Sequence, residues 1–286
     1  MNIAVSHLSL NFLGGEEKVC LSVIEALQAH NHKVTLFTVD KTNWKRVKKI
    51  FGRTLMPNKE FFLFDFPICD KFSKGSMFIF AFMCYLSWLI KLNLSKEYDV
   101  VINTYGDVLN SIADVAYVHF PLGATLEYSQ IPAFSDELKW KVHCHLYSLF
   151  NSILLDNLKS SILLTNSQFT RQVIKKFLKR DALVLNPPVE VNDFLNSSKE
   201  TKKNYVITVS KLSPKRRLER IPLIAKKITN AKFIIAGRAD KYSVETLHSL
   251  KKVIRKQNVK DRVIFALNLS RSELIKLLSI SRVYLH

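Results

Sequence analysis

The sequence predicts an α/β protein built from two parallel-sheet domains, the second of them incomplete. Three observations predict it. Short apolar runs alternate with longer amphipathic ones along the whole chain, the pattern of strand–helix units that assemble parallel sheets. A proline-marked polar stretch, Asn186-Pro187-Pro188-Val189 and then Asn192–Lys203, interrupts the alternation, and the alternation restarts beyond it. The last strand-like run, Val283–His286, has no helix after it, whereas a parallel sheet needs both faces covered. The boundaries that follow are 1–189 for the first domain, 190–203 for a linker and 204–286 for a partial second domain.

Each element follows from its residues. Ile3–His7 reads as strand one, Gly14-Gly15 as the loop after it, and Glu16–His30 as a helix. Val19, Val23, Ala26 and Leu27 mark the expected apolar face of that helix at helical spacing. Lys33–Val39, Glu60–Phe66, Asp99–Asn103, Val115–His119 and Ser161–Thr165 read as strands, rich in β-branched and aromatic residues. Asp136–Asn157 and Gln168–Leu178 read as helices. In the second domain the strands are Tyr205–Val209, Lys232–Ala236, Val263–Ala266 and Val283–His286. Helices over Leu218–Ile228, Ser243–Gln257 and Ser270–Ile280 lie between them.

Composition narrows the classes. The 286 residues are 48% hydrophobic and 23% charged, which excludes a disordered tail, a collagenous chain and a coiled coil. Lys and Arg number 43 against 24 Asp and Glu, a formal net charge of +19. Such a balance suits a polyanionic partner: nucleic acid, an anionic membrane surface or a phosphorylated substrate. No nucleic-acid-binding motif accompanies the charge, which is spread along both domains, so no nucleic acid is expected. Cys20, Cys69, Cys84 and Cys144 form no C-x-x-C pair, so neither a zinc site nor a disulfide framework is supported. No signal peptide is visible, and a reducing, cytoplasmic setting is expected.

Gly75–Ile90 is an uncharged run bracketed by Lys74 and Lys91. As a helix it would be about 24 Å long, short of the roughly 30 Å hydrocarbon core of a bilayer. A membrane span is therefore the least favoured of three readings; the others are a buried core helix and a helix lying in a membrane interface. The aromatic content and flanking lysines suit the last.

Several segments together resemble a known family. Gly14-Gly15-Glu16-Glu17-Lys18-Val19, Ala26-Leu27 and Asn31-His32-Lys33-Val34-Thr35-Leu36-Phe37-Thr38 are similar to the opening strand–loop–helix–strand of the GT-B glycosyltransferases of family 4. Tyr117-Val118-His119-Phe120-Pro121 resembles the segment that carries that family's active-site histidine. Thr165-Asn166-Ser167 and Asn186-Pro187-Pro188-Val189 match its approach to the interdomain linker. Ser210-Lys211-Leu212-Ser213-Pro214-Lys215-Arg216-Arg217 resembles its phosphate-binding segment Gly-Arg-Leu-x-x-x-Lys-Gly, and Phe233-Ile234-Ile235-Ala236-Gly237 its next strand. No single motif is specific, but the ordered series is. The Tyr-Val-His-Phe-Pro and Asn-Pro-Pro segments look closest to the asparagine-linked glycosylation α-1,2-mannosyltransferases.

The resemblance implies two Rossmann-like domains and transfer of mannose or a similar hexose from a nucleotide sugar, GDP-mannose or a UDP-sugar. It implies a glycan acceptor, polyprenyl-linked in the closest subfamily, met at the cytoplasmic face of a membrane. No metal or other cofactor is expected. Two departures stand out. Lys211 takes the place of an arginine and Arg216 that of a lysine, which keeps charge but moves the bidentate group. The family's Glu-x₇-Glu motif follows a strand like Val283–His286, and the sequence ends before that place. A second reading is therefore a truncated, non-catalytic form, or a subunit completed by a C-terminal polypeptide.

The candidate residues follow, each beside its blander explanation. Gly14 and Gly15 lie between a strand and a helix, where a backbone can approach an anion, or simply turn. Glu16 and Glu17 suit a helix start and need no catalytic role. His119 ends a strand at the carboxyl edge of a sheet, where ligands of open α/β sheets bind. By resemblance it contacts the transferred sugar. Lys211 and Arg216 follow the first strand of the second domain and can neutralise a diphosphate. The bland alternative is a solvated basic loop, since eight basic residues lie between Lys199 and Arg220. Gly237 belongs with them as a donor-binding position by resemblance. His143-Cys144-His145 sits in an expected helix, where i and i+2 do not share a face, so no metal site is expected there. No P-loop, no Gly-x-Ser-x-Gly elbow and no Gly-x-Gly-x-x-Gly after strand one is present.

Overall fold

The computed structural model describes residues 1–52, 55–67, 97–105, 113–121, 124, 162–195, 200–239 and 243–286. The expected helix over 136–157, the apolar run 75–90 and His143-Cys144-His145 lie outside the described residues. The chain forms two compact units, Met1–Pro188 and Val189–His286.

The first unit holds a seven-stranded parallel sheet. Its strands are β1 (Asn2–Ser6), β2 (Lys33–Phe37), β3 (Lys59–Phe61), β4 (Val100–Asn103), β5 (Val115–Val118), β6 (Ile162–Thr165) and β7 (Leu183–Val184), in the order β3-β2-β1-β4-β5-β6-β7. Central β1 pairs Ala4 with Thr35 on one side and with Val101 on the other. Ile3 and Val5 pack with Val34, Leu36 and Leu21 on one face, while Ala4 packs with Phe37, Val101 and Ala113 on the opposite face. Two buried faces explain why β1 reads as a continuous apolar run rather than an alternating one.

Helix α1 (Gly15–Ala29) covers the first of those faces. Its stripe differs from the expected one. Val19 is buried as expected, but Cys20, Leu21 and Ile24 are fully buried, Val23 and Leu27 sit at the margin, and Ala26 is exposed. Residues 17, 20, 21 and 24 follow the i, i+3, i+4, i+7 rule as well as the expected set does, and they turn the larger Leu21 and Ile24 inward. Alanine buries little apolar area and marks a face weakly.

Three elements of this unit depart from expectation. Helix α2 (Trp44–Phe51) forms in a lysine-rich stretch: the Asn43 side chain accepts the Arg46 N–H at 3.1 Å, and the Trp44 indole N–H donates to Glu60 at 2.8 Å. Strand β3 stops at Phe61 instead of Phe66, and beyond it only the bridge Asp40–Phe64 continues the pairing. The two-residue β7 is too short for any periodicity to reveal it. Helix α3 (Gln168–Phe177) starts as expected, capped by Ser167, whose hydroxyl accepts the Thr170 N–H at 3.2 Å.

The second unit holds β8 (Lys203–Val209), β9 (Lys232–Gly237), β10 (Val263–Leu267) and β11 (Ser281–Tyr284) in a parallel sheet ordered β10-β9-β8-β11. Its helices are α4 (Asn192–Leu195), α5 (Arg220–Lys227), α6 (Val244–Lys256) and α7 (Arg271–Ile280). Alternate β9 residues serve opposite faces. Phe233 and Ile235 pack with Ile221 of α5 and Leu250 of α6, while Ile234 and Ala236 pack with Leu274 and Leu277 of α7. The stretch expected as a linker contains α4, held by Arg271, which pairs with Glu190 at 2.7 Å and Asp193 at 2.9 Å. On edge strand β11, Val283 and Tyr284 are 48% and 52% exposed.

Candidate functional site

In the first unit, β1 leads to β2 on one side and β4 leads to β5 on the other. The strand order therefore reverses between β1 and β4. Ligands of open α/β sheets bind in the crevice outside the carboxyl ends at such a point. The residues immediately past those ends are His7 after β1, Thr104 after β4 and His119 after β5.

Thr104 joins the two histidines, one through its side chain and one through its backbone. His7 Nδ1 lies 3.0 Å from Thr104 Oγ1, and His119 Nε2 lies 3.2 Å from the Thr104 carbonyl oxygen. His7 Nε2 faces Glu17 Oε1 at 3.6 Å, and the other Glu17 oxygen accepts the Gly14 N–H at 2.5 Å. A continuous polar chain thus runs Gly14–Glu17–His7–Thr104–His119. It links two residues picked out from the sequence, Gly14 and His119, through three that were not. Tyr105 sits edge-on to the His7 ring at 5.5 Å between centroids.

The neighbours of His119 fix its place. Its carbonyl accepts the Asn166 amide at 2.7 Å, and the Tyr117 ring lies 4.9 Å from its own. The Tyr117 hydroxyl donates to the Leu185 carbonyl at 2.7 Å, and burial pushes its pKa up to about 12, so it stays protonated. Asn166 belongs to one of the two segments the sequence placed on the approach to the boundary, and Leu185 directly precedes the other.

The two histidines differ in charge. Burial works against a proton on His7, but the Cys20 sulfur and the Glu17 carboxylate override it and push its pKa up to about 10. Glu17 is held below the usual carboxylate range: burial opposes its charge, and the His7 contact and the Gly14 N–H outweigh the burial. His119 moves the opposite way. Burial, and then the positive charge on His7, push its pKa down to about 4. One imidazole is a fixed cation at neutral pH and the other is neutral.

Gly14 and Gly15 are both exposed at the start of α1. A Cβ on Gly15 would meet nothing within 4 Å, so open space adjoins the first turn there. In the second unit the strand order reverses between β8 and β11, and the segment after β8 carries Lys211 and Arg216. Leu212 and Leu218, 1% and 3% exposed, pin this segment to the core. Between them Pro214–Arg216 forms a 3₁₀ turn, and both Lys211 and Arg216 are exposed. Gly237 closes β9, where a Cβ would stand 1.9 Å from the Ser210 carbonyl oxygen. Its lack of a side chain lets the Lys211 segment cross it. Among the described residues, no three His, Cys, Asp or Glu side chains gather as a metal site.

Residues 191–286 match the family described as glycosyl transferases group 1. The match spans nearly all of the second unit, Val189–His286. Lys211, Arg216 and Gly237 all lie within the matched residues. A curated relative, the GDP-Man:Man(3)GlcNAc(2)-PP-Dol alpha-1,2-mannosyltransferase of Dictyostelium discoideum, is 23% identical over 203 residues, 63% of this chain. The matched region is 38% of that relative's length. Among solved structures, Anabaena Alr3699/HepE in complex with UDP and glucose gives a TM-score of 0.66 at 15% identity, covering 100% of this chain and 74% of that one. The lipopolysaccharide glycosyltransferase WaaG gives 0.64 at 13% identity, covering 99% and 74%. The expected α/β architecture with two parallel sheets, GT-B in class, is the fold these structures share.

His7 and Thr104 escaped the sequence reading, which took Glu17 only as a helix-start residue. His7 occupies the same place as His119, the last residue of a strand run, and that equivalence was the available signal. Glu17 does cap the helix start through the Gly14 N–H, but nothing in the sequence showed that it does so buried against His7.

Proposed function

We propose that this chain belongs to a glycosyltransferase that moves a hexose from a nucleotide sugar to a glycan acceptor. One observation carries the reading: within the residues that match glycosyl transferases group 1, Lys211 and Arg216 stand exposed on a segment anchored at the carboxyl end of β8. Two cations there suit the diphosphate of a donor and stabilise it as it leaves with the electron pair of the broken sugar–oxygen bond. The acceptor hydroxyl oxygen forms the new bond and gives up its proton.

His119 fits the sugar side of that reaction. A neutral imidazole can exchange a hydrogen bond with a sugar hydroxyl without opposing the positive charge that builds on the sugar ring. A protonated one would repel it. Burial and the His7 cation hold it in the useful form.

The likeness to a dolichol-linked mannosyltransferase supports GDP-mannose as donor and a polyprenyl-linked glycan as acceptor, with the chain peripheral to an anionic membrane at its cytoplasmic face. The UDP-bound relative keeps a UDP-sugar as the alternative donor. Among the described residues no helix is long and apolar enough to cross a membrane. Calorimetric titration of the protein with GDP, UDP, GDP-mannose and UDP-glucose tests the proposal. Binding of one nucleotide diphosphate, weakened at least tenfold in Lys211→Ala, is expected. No binding of any of the four would overturn it.

A further inference from the structure

Thr104 touches both imidazoles, and its own hydrogen bonds determine where their protons sit. Its hydroxyl lies 3.1 Å from the Ser6 carbonyl oxygen. A carbonyl only accepts, so the one hydroxyl hydrogen is spent there. Toward His7 Nδ1, 3.0 Å away, the hydroxyl oxygen can then only accept, and Nδ1 must carry a proton. Toward His119 Nε2, 3.2 Å away, Thr104 offers a carbonyl oxygen, so Nε2 carries the proton of that ring. Thr104 is itself fully buried, and its N–H donates to the Ser6 carbonyl at 2.9 Å, so it has little freedom to rearrange.

We propose that Thr104 is a positioning residue that sets the proton arrangement of both histidines, leaving Nδ1 of His119 as an acceptor for a sugar hydroxyl. The hydroxyl holds the proton on His7 Nδ1, so His7 meets Glu17 through Nε2. The carbonyl holds His119 as the Nε2–H tautomer, and a neutral imidazole with Nε2 protonated has its lone pair on Nδ1. A substrate hydroxyl that meets Nδ1 therefore donates, and its oxygen gains electron density as the sugar ring loses it. The role of His119 rests on the glycosyltransferase reading. The proton arrangement does not, and it is measured without any substrate.

The test is imidazole nitrogen NMR on the full chain labelled at histidine, for wild type, Thr104→Val, Thr104→Ser and Glu17→Gln. In wild type at pH 7, His7 is expected with both nitrogens protonated, and His119 neutral with the proton on Nε2. Thr104→Val removes the acceptor at His7 Nδ1 and should lower the His7 titration midpoint by one pH unit or more. Thr104→Ser should restore it, which a mere packing role for the threonine methyl would not allow. If the valine variant does not fold, Glu17→Gln decides: once titrated to its neutral form, His7 should carry its single proton on Nδ1. A wild-type His119 protonated on Nδ1, an unchanged His7 midpoint in Thr104→Val, or a neutral His7 protonated on Nε2 in Glu17→Gln would each overturn the proposal. Absence of sugar transfer in wild type would count against the proposed function alone.

Discussion

His7 and Glu17 face each other inside the first unit, with Nε2 3.6 Å from Oε1 and side chains 0% and 4% exposed. Neither residue reaches solvent to discharge: His7 holds Glu17 ionised, and Glu17 together with the Cys20 sulfur holds the proton on His7. Breaking such a pair leaves one charge buried without compensation, which costs about 3–5 kcal/mol. Glu17→Ala should destabilise the fold by that order, read from urea denaturation at pH 7. A loss below about 1 kcal/mol would mean that the pair is not charged.

The same pair gives stability a definite pH dependence. His7 rises from its ordinary value of 6.5 to about 10, so its contribution is complete below pH 6.5 and fades as pH climbs toward 10. Glu17 is lowered from 4.5, so its contribution is present above pH 4.5 and is lost as pH falls. His119, lowered from 6.5 to about 4, also weakens the fold as pH drops between those values. Stability should peak near pH 6.5. Denaturation from pH 4 to pH 10 should show the alkaline decline in wild type and a shallower one in His7→Gln, which has no imidazole proton to lose. Parallel curves would remove His7 as the source.

Gly237 and Gly15 should respond in opposite ways to the same substitution. Gly237→Ala drives a methyl to 1.9 Å from the backbone oxygen of Ser210, so the Lys211 segment or the end of β9 must move. A loss of about 1–3 kcal/mol is expected, as for other overpacking changes. Gly15→Ala meets nothing within 4 Å and sits in the first turn of a helix. It should hold or raise stability by up to about 1 kcal/mol. If it lowers nucleotide-sugar affinity all the same, the open space beside Gly15 is ligand space. Thermal melts with and without nucleotide separate the two effects.

The layout was largely legible in the sequence because it rests on periodicity. β1 and β9 are apolar runs with two buried faces, and α7 begins at Ser270 with Glu273 three residues on, a capping box that the structure contains. Where signals were weak, the reading slipped. Ala26 shared the helical spacing of a core residue without the size of one, and the lysines of α2 hid a helix that the Asn43 cap starts. His119 was visible from its place at a strand end and from its family-like neighbours. Its connection to Glu17 was not, because residues 17, 104 and 119 meet only after β1, β4 and β5 are set side by side. Lys211 and Gly237 could be chosen from their segments, but the contact between Ser210 and Gly237 that shapes the segment is a tertiary fact.

Lys211 and Arg216 separate binding from folding. Both side chains are exposed, so Lys211→Ala and Arg216→Ala should each change stability by less than about 0.5 kcal/mol. Each should weaken a nucleotide diphosphate by about tenfold, with the loss shrinking as salt rises, since screening reduces what an exposed cation contributes. Calorimetric titrations at low and high ionic strength make the comparison. Equal affinity in wild type and both variants would return this segment to a solvated basic loop.

His119 should leave its mark on rate and on pH. With its pKa pushed down to about 4, the ring is neutral through the whole physiological range, so kcat/KM should show no inflection near the ordinary histidine value of 6.5. His119→Ala removes a hydrogen-bonding group beside the developing charge, and transfer should fall by about 10²-fold or more. His119→Asn keeps one amide in the pocket and should recover part of that loss. His7→Gln, which removes that positive charge and leaves the Glu17 carboxylate in place, should raise the His119 midpoint, because the like charge that repels its proton is gone. That upward shift is the decisive reading. His119 would then begin to protonate at a higher pH, and the acid limb of the rate profile should move up with it. An acid limb that stays in place would mean that burial alone holds His119 neutral and that the charge on His7 does not reach it.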